Sequence, residues 1–369
     1  MNALGIDPGT SSFDVCCFDD GSGEVLFEAS VPTSTVAKSP ERLFEVVLEA
    51  DADVIVGPSA MGLPVSHISD LTDRALAKAT LGKNTEVDIA IRRFIRMQQE
   101  HKLNVFFTPG IIQLTTVPRH RKRNKVDLGT ADKTCIAALA LWNYARSYGK
   151  EYEDASIMVL ELGFGFNAIM AVEHGKLIDG IGGTIFPGPG YLTIGAMDLE
   201  IAHTIDRFTE EQLGFGGVAY AAGDVIPPEA YADRLDDERL ATAWQSLVEG
   251  VVKAVAMELT VFQNLPWELM LSGRLTRVPR LYAELLASLE RFDIPIRKLE
   301  GFATRSKEAA QGAALLASGL AGGTYAELVE VLELRGATGT VVDYIEWPGF
   351  NAEELIETKL RAMKMELPH

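Results

Sequence analysis

Apolar and polar positions alternate in short bursts at the start of this chain. Leu4-Gly5-Ile6 is apolar and Asp7-Pro8-Gly9-Thr10-Ser11-Ser12 has turn chemistry; Phe13 to Phe18 reads as a second strand, and Asp19 to Gly23 turns the chain into a third over Glu24 to Glu28. The same signals return in mid-chain. Ser156 to Leu160 is apolar and β-branched, Glu161-Leu162-Gly163-Phe164-Gly165 is a turn, Phe166 to Val172 is a strand, and Glu173 to Lys176 leads into Leu177 and Ile178. The interval from Asp7 to Gly21 equals that from Glu161 to Gly175, and each acid is followed two places later by a glycine, Gly9 or Gly163. A register shared this far points to an internal duplication, with one acidic, glycine-bearing turn at the head of each half.

After each meander the period lengthens toward that of a helix. In the first half the pattern predicts an amphipathic helix over Pro40 to Ala50, a short buried strand at Val54-Ile55-Val56, and a long helix over Asp132 to Tyr148. In the second half it predicts helices over Leu192 to Arg207, Asp237 to Phe262 and Val278 to Glu290, with a strand at Glu268 to Leu271. The boundary falls near Gly149 to Asp154, giving domains at 1–152 and 153–369. A terminal helix over 351–365 is expected to pack back on the first of them.

Composition allows two cores. The chain has 369 residues, 47% hydrophobic and 23% charged. No apolar run approaches the roughly 18 residues of a membrane span, and Met1 leads straight into a strand with no charged leader, so a soluble, cytoplasmic protein is expected. A net charge of -18 disfavours nucleic acid and anionic membranes as partners. Cys16 and Cys17 are sent to opposite faces by strand alternation; with Cys135 they read as reduced and buried. The histidines have no metal-ligand spacing, and His67 and His203 read as hydrogen-bonded core residues.

The turns suit a polyphosphate. A triphosphate needs backbone N–H donors at close range and a metal ion bridging its oxygens; glycines allow the approach, and carboxylates at strand ends hold magnesium, usually through water. Asp7 with Gly9, Thr10, Ser11 and Ser12 meets this in the first half. Glu161 with Gly163, Gly165 and Asn167 meets it in the second, so Asp7 and Glu161 are the candidate metal residues. The strand ending Leu271-Ser272-Gly273-Arg274 adds a place where a flat adenine ring could lie against a residue without a Cβ.

Leu4-Gly5-Ile6-Asp7-Pro8-Gly9-Thr10 resembles the first phosphate motif of the acetate/sugar kinase, Hsp70 and actin superfamily, Leu160 to Gly165 resembles the second, and Leu271-Ser272-Gly273 the adenosine motif. The chain is also similar to a mainly archaeal family described as predicted butyrate kinases, at Gly57-Pro58-Ser59 to Gly62-Leu63-Pro64, at Val126 to Lys133 and at Gln311-Gly312-Ala313-Ala314. Glu161 stands where most members have Asp, Phe164 interrupts a Gly-Gly pair, and Ser272 replaces a common second glycine. The resemblance implies an α/β fold of two duplicated ribonuclease H-like, actin-like ATPase domains. Each would be a mixed five-stranded sheet flanked by helices, with ATP and Mg2+ in a cleft between them.

Phosphoryl transfer is the activity so implied. Asp127 is the leading acceptor-side residue, and the basic run Arg119 to Lys125 ahead of it offers Arg121 or Arg123 as a cation for a carboxylate acceptor. Asp132 and Lys133 read as helix-surface residues. Thr184, in the glycine- and proline-dense segment 180–190, is a further candidate for the phosphates. The preferred reading is a kinase that makes an acyl phosphate from a short-chain carboxylate, a small-molecule partner, and a homodimer is compatible with it. A sugar or polyol kinase with a hydroxyl acceptor and a nucleotide-gated, actin-like ATPase are the alternatives.

Overall fold

Buried apolar runs become central strands. In the computed structural model, which describes residues 1–79, 85–205 and 209–365, β1 (Asn2–Pro8) is flanked on both sides, and its residues 3–7 are all buried. It pairs antiparallel with β2 (Ser12–Asp19), which pairs antiparallel with β3 (Val25–Pro32). On its other edge β1 runs parallel to β4 (Val54–Val56), followed by β5 (Ser66–His67) and β6 (Val105–Phe107). The sheet order is β3-β2-β1-β4-β6-β5. The second sheet repeats this scheme with β7 (Ile157–Leu162), β8 (Asn167–Glu173), β9 (Lys176–Ile181), β10 (Glu268–Ser272) and β11 (Ile296–Lys298), in the order β11-β10-β7-β8-β9. Again the first pair is antiparallel, while β7–β10 and β10–β11 are parallel. The fold is thus a mixed α/β arrangement with a duplicated strand order; the first sheet has six strands rather than the expected five, β5 being the addition.

The chain divides into two compact units, the first made of Met1–Glu153, Gly175–Leu177 and everything from Glu300 onward, the second of Asp154–His174 and Ile178–Leu299. Residues 300–350 therefore belong with the first unit, although the sequence placed them in the second. The reason lies in the helix Glu308–Leu320, which covers β1. A Cβ at Gly5 would run into the Ala310 carbonyl, and one at Gly312 into the Cys135 carbonyl of the helix Ala131–Tyr148. Small residues at these crossings let helix, strand and helix approach closely, and no local pattern reveals that partner. The terminal helix Ala352–Met365 lies against the helix Asp73–Lys78, where Arg74 pairs with Glu353 and Glu357.

Gly312→Ala is accordingly expected to cost about 1–3 kcal/mol through overpacking, seen as a lowered melting temperature. Gly214→Ala, where an added Cβ meets nothing within 4 Å, is the control and should be neutral or slightly stabilising. Equal melting temperatures for the two variants would contradict the packing argument.

Each unit has its own core. In the first, Leu4, Ile6, Val15 and Cys17 pack with Phe44, Phe94 and Phe107. In the second, Met158, Leu160 and Ile169 pack with Trp244, Leu247 and Val251 of the helix Glu238–Leu259 and with Leu281 and Leu285 of the helix Pro279–Leu289. Cys16, Cys17 and Cys135 are buried free thiols, and burial pushes Cys16 up to about 12 and Cys17 up to about 11.

Three local expectations change. Only Leu199–Thr204 of the expected 192–207 helix is helical; Asp206 and Arg207 lie outside the described residues. Residues 192–196 instead fold back on the glycine-rich loop, with Ala196 N donating to Phe186 O at 2.8 Å and Thr193 N to Gly165 O at 3.2 Å. His203 is exposed beside Glu200 rather than in a core, and His67 is half-buried with Nδ1 2.8 Å from Ser69 Oγ. Gly21 and Gly175 occupy matched positions but not matched conformations. His174 and Gly175 form a two-residue left-handed turn, whereas the left-handed glycine of the longer first turn is Gly23.

Candidate functional site

Both hairpins close in the same way. Gly9 N donates to Ser12 O at 3.1 Å in the first, and Gly163 N to Phe166 O at 3.0 Å in the second. The flanking registers match position for position: Pro8 opposite Phe13 and Asp7 opposite Asp14, against Leu162 opposite Asn167 and Glu161 opposite Ala168. The two acids thus occupy the same site in duplicated hairpins. Because the Gly9 and Gly163 N–H groups are spent within the turns, N–H donors for a ligand fall to the intervening residues, and Thr10 and Ser11 lie exposed at the first tip.

Around the first hairpin Asp7 is buried, Ser12 Oγ donates to Asp14 Oδ2 at 2.8 Å, and Thr33 Oγ1 donates to Gly9 O at 2.8 Å. Lys307, which local sequence did not single out, brings its Nζ to 2.6 Å from Asp14 Oδ2 and 3.5 Å from Asp7 Oδ2. Burial alone lowers the pKa of that ammonium, but Asp7 and Asp14 outweigh it and hold the value above the ordinary lysine range.

The segments that carry the family resemblance in this unit meet beside β1. Ile6, Pro8, Gly57, Ser59, Thr108 and Asp132 line a narrow recess, which Cys135 and Ala309 also touch. It lies beyond the carboxyl ends of the parallel strands β1, β4 and β6, where open α/β sheets bind ligands. Ser59 Oγ accepts from Thr108 N at 2.9 Å, and Gln113 joins the two loops by accepting from Gly110 N and donating to Gly62 O, both at 2.8 Å. Asp132 and Lys133 are not surface residues. Lys133 is 8% exposed, and its ammonium and the Thr130 hydroxyl both donate to the Asp132 carboxylate. Burial raises the pKa of that carboxyl, but the charge and hydrogen bond of Lys133 and the bond from Thr130 bring it below the usual range.

Asp127 is buried and its Oδ1 accepts from Gly129 N at 3.1 Å, a turn that leads into the helix Ala131–Tyr148. The basic run divides. Arg119 and Arg123 face Glu346 at 3.5 and 3.6 Å on the surface, Arg121 is half-buried, and Lys122 is buried. Lys122 Nζ donates to Leu114 O at 2.6 Å and lies 4.9 Å from the Tyr344 ring centroid. Burial pushes its pKa down to about 8 from 10.5. Between those values the unfolded chain binds more protons than the folded one, so this residue makes stability rise with pH. From pH 8 to 10 the melting temperature of the wild type should gain on that of Lys122→Met; parallel curves would show that the ammonium is not desolvated.

In the second unit, Gly165 O accepts from both Thr193 N at 3.2 Å and Thr193 Oγ1 at 2.8 Å, so the 182–195 loop folds over the hairpin. Gly183 packs on the Phe166 ring, which places half-buried Thr184 next to it in the chain. Asn167 Nδ2 donates to Pro189 O at 3.3 Å. Phe164, where the family resemblance leads one to expect glycine, carries the Arg274 guanidinium 4.5 Å from its ring centroid and packs on Tyr191. Gly273 has a reason other than room for adenine. Its φ is +91° and a Cβ there would lie 2.5 Å from Leu162 O, so the glycine is required by the neighbouring strand. Two buried atoms, Asn167 Oδ1 and Ser272 Oγ, have no hydrogen-bond partner within the protein, an arrangement that costs free energy until something completes it.

Among the described residues no group of three or more His, Cys, Asp or Glu could hold a metal ion. Magnesium in phosphate sites takes one or two carboxylates and completes its shell with water and phosphate oxygens. Asp7 and Glu161, one strand-end carboxylate at the matched position of each hairpin, are donors of that type. No helix among the described residues is long and apolar enough to cross a membrane.

This architecture is that of the acetate and propionate kinases. The propionate kinase of Francisella tularensis subsp. tularensis SCHU S4 superposes with a TM-score of 0.62 at 14% identity, covering 85% of this chain and 98% of that one. The acetate kinases of Porphyromonas gingivalis (TM-score 0.58, 12% identity, 85% and 98% covered) and Entamoeba histolytica (0.56, 11%, 79% and 87%) are similar to it as well. The chain belongs to the family described as "Protein of unknown function (DUF1464)", matched over residues 5–347. No curated protein matches it.

Proposed function

We propose that this protein is a phosphotransferase that uses ATP and Mg2+ to phosphorylate a short-chain carboxylate, as in a butyrate kinase. The observation that carries the reading is the duplicated hairpin, with an acid at the same register in each turn. Each hairpin has the parts a phosphate group needs: a glycine-tightened turn, N–H groups at its tip and one carboxylate for the metal's water shell. Magnesium, when bound, neutralises charge on the phosphates. Asp7 in the first unit, and Glu161 at the matched register of the second, are each proposed as a carboxylate for a metal's water shell. Asn167 and Ser272 have buried polar atoms that a bound polar group or water would satisfy.

The acceptor class is argued from a second, narrow recess in the first unit, which shares Ser59 and Ala60 with the recess beside β1 and must widen to take an alkyl chain. Its walls are Leu63, Leu76, Ile91, Ile95 and Phe107, with Asp88 and Arg92 also in the lining. An apolar cavity suits an alkyl chain and gives a sugar's hydroxyl groups few partners. A carboxylic acid with a pKa near about 4 to 5 is ionised at neutral pH, so no base is needed to activate it. Asp127, Arg121 and Arg123 are the acceptor-side candidates, Arg123 requiring release from Glu346 to serve.

The test is ATP consumption with acetate, propionate, butyrate, branched acids, hexoses and glycerol, against an Asp7→Ala control. Activity on acids above the control supports the proposal. Activity on a hydroxyl acceptor that depends strictly on Asp127 would replace it with the polyol reading, and ATP-dependent assembly without transfer would favour the actin-like one.

A further inference from the structure

The first hairpin carries a charge that the second lacks. Asp14 stands opposite Asp7, whereas Ala168 occupies the matching place opposite Glu161. Asp7 and Asp14 are 5% and 3% exposed. Two carboxylates so buried need a counter-charge, and a pair of them at the end of β1 would repel an incoming polyphosphate.

Lys307 supplies that charge. Its Nζ contacts Asp14 Oδ2 at 2.6 Å and Asp7 Oδ2 at 3.5 Å, and donates to Ser12 O at 2.9 Å. It occupies the space that a Cβ at Gly9 would take, so the glycine also makes room for the lysine. The segment before it is held in place: Glu28 accepts from Arg305 N, Ser306 N and Ser306 Oγ at 2.7–2.9 Å, and Gln311 Nε2 donates to Ser306 O at 2.9 Å. Burial alone raises the pKa of the Glu28 carboxyl, but these bonds keep it below the ordinary range, and it stays ionised as an anchor at neutral pH.

We propose that Lys307 is a positioning residue of the first phosphate hairpin, offsetting the additional carboxylate of Asp14 and so holding Asp7 in a turn that can take up a polyphosphate. The inference rests on the nucleotide reading above. Its particular content is that Lys307 is required because Asp14 is present. A hairpin with alanine at position 14, as at Ala168 in the second, has no need of the lysine.

The experiment is a double-mutant cycle on the full chain, reading Mg·ATP affinity by calorimetry and melting temperature without nucleotide. Lys307→Met is expected to weaken Mg·ATP about 10- to 100-fold and to lower the melting temperature, because one partner of a buried charge pair is removed. Lys307→Met with Asp14→Ala should return both readouts to within about threefold and a few degrees of wild type, and Lys307→Arg should stay near wild type in both. If the double variant binds Mg·ATP as weakly as Lys307→Met, the lysine acts independently of Asp14 and the proposal falls. If wild type binds no nucleotide, the functional reading fails instead, and the recovery of melting temperature still decides the coupling of Lys307 to Asp14. Should Lys307→Met not fold, a folded double variant with wild-type affinity supports the proposal and a folded one without affinity overturns it.

Discussion

Asp7→Ala is expected to remove about 99% or more of ATP-dependent phosphoryl transfer, a loss of the size seen when one charge-stabilising group is deleted from a preorganised site. The residue sits at the buried end of β1, in a turn closed by its own Gly9-to-Ser12 bond. Lys307 keeps a partner in Asp14 after the substitution, so the hairpin should survive and the melting temperature should fall little. Glu161→Ala removes the carboxylate at the matched register and should cost a similar factor. Initial rates of ATP consumption, with the melting temperature of each variant alongside, check both. An Asp7→Ala enzyme within threefold of wild type would leave the duplicated acids without a catalytic role.

Filling the apolar cavity should separate acceptors by length. Ile91→Trp places an indole ring among Leu63, Leu76, Ile95 and Phe107. It is expected to lower kcat/KM for butyrate about 10- to 200-fold, the range that one methylene's worth of pocket discrimination covers, while acetate loses far less. The effect should lie in KM, because the cavity would bind the chain equally in ground and transition states. A uniform loss with every acid, at an unchanged melting temperature, would show that the alkyl chain binds elsewhere.

Much of the fold was legible because strand pairing at a hairpin is local. The turn residues Gly9 to Ser11 and Gly163 to Phe166 lie between strands that pair with each other, so a single stretch of sequence contains both partners. The helices 131–148, 238–259 and 279–289 followed from apolar periodicity, each within a few residues of its expected bounds. Glu86–Glu100 escaped notice although Thr85 and Asp88 form a reciprocal capping box at its start, a signal available in the sequence. Leu192 to Ala196 misled for the opposite reason. Helix-compatible residues were claimed by hydrogen bonds to the hairpin and the glycine-rich loop, and such bonds outweigh weak propensity.

What the amino-acid order determined by itself is the pair of acidic turns and their common register, since alternation and turn chemistry act over a few neighbouring residues. Only the tertiary structure brought Lys307 to Asp14, carried the helix Glu308–Leu320 onto β1, and turned Asp132 toward the recess beside β1. Those outcomes depend on groups nearly three hundred positions apart, or on which side of a helix a neighbouring strand leaves open. They are set by close packing and by the need of buried charges for partners, and neither condition has a periodic trace in the sequence.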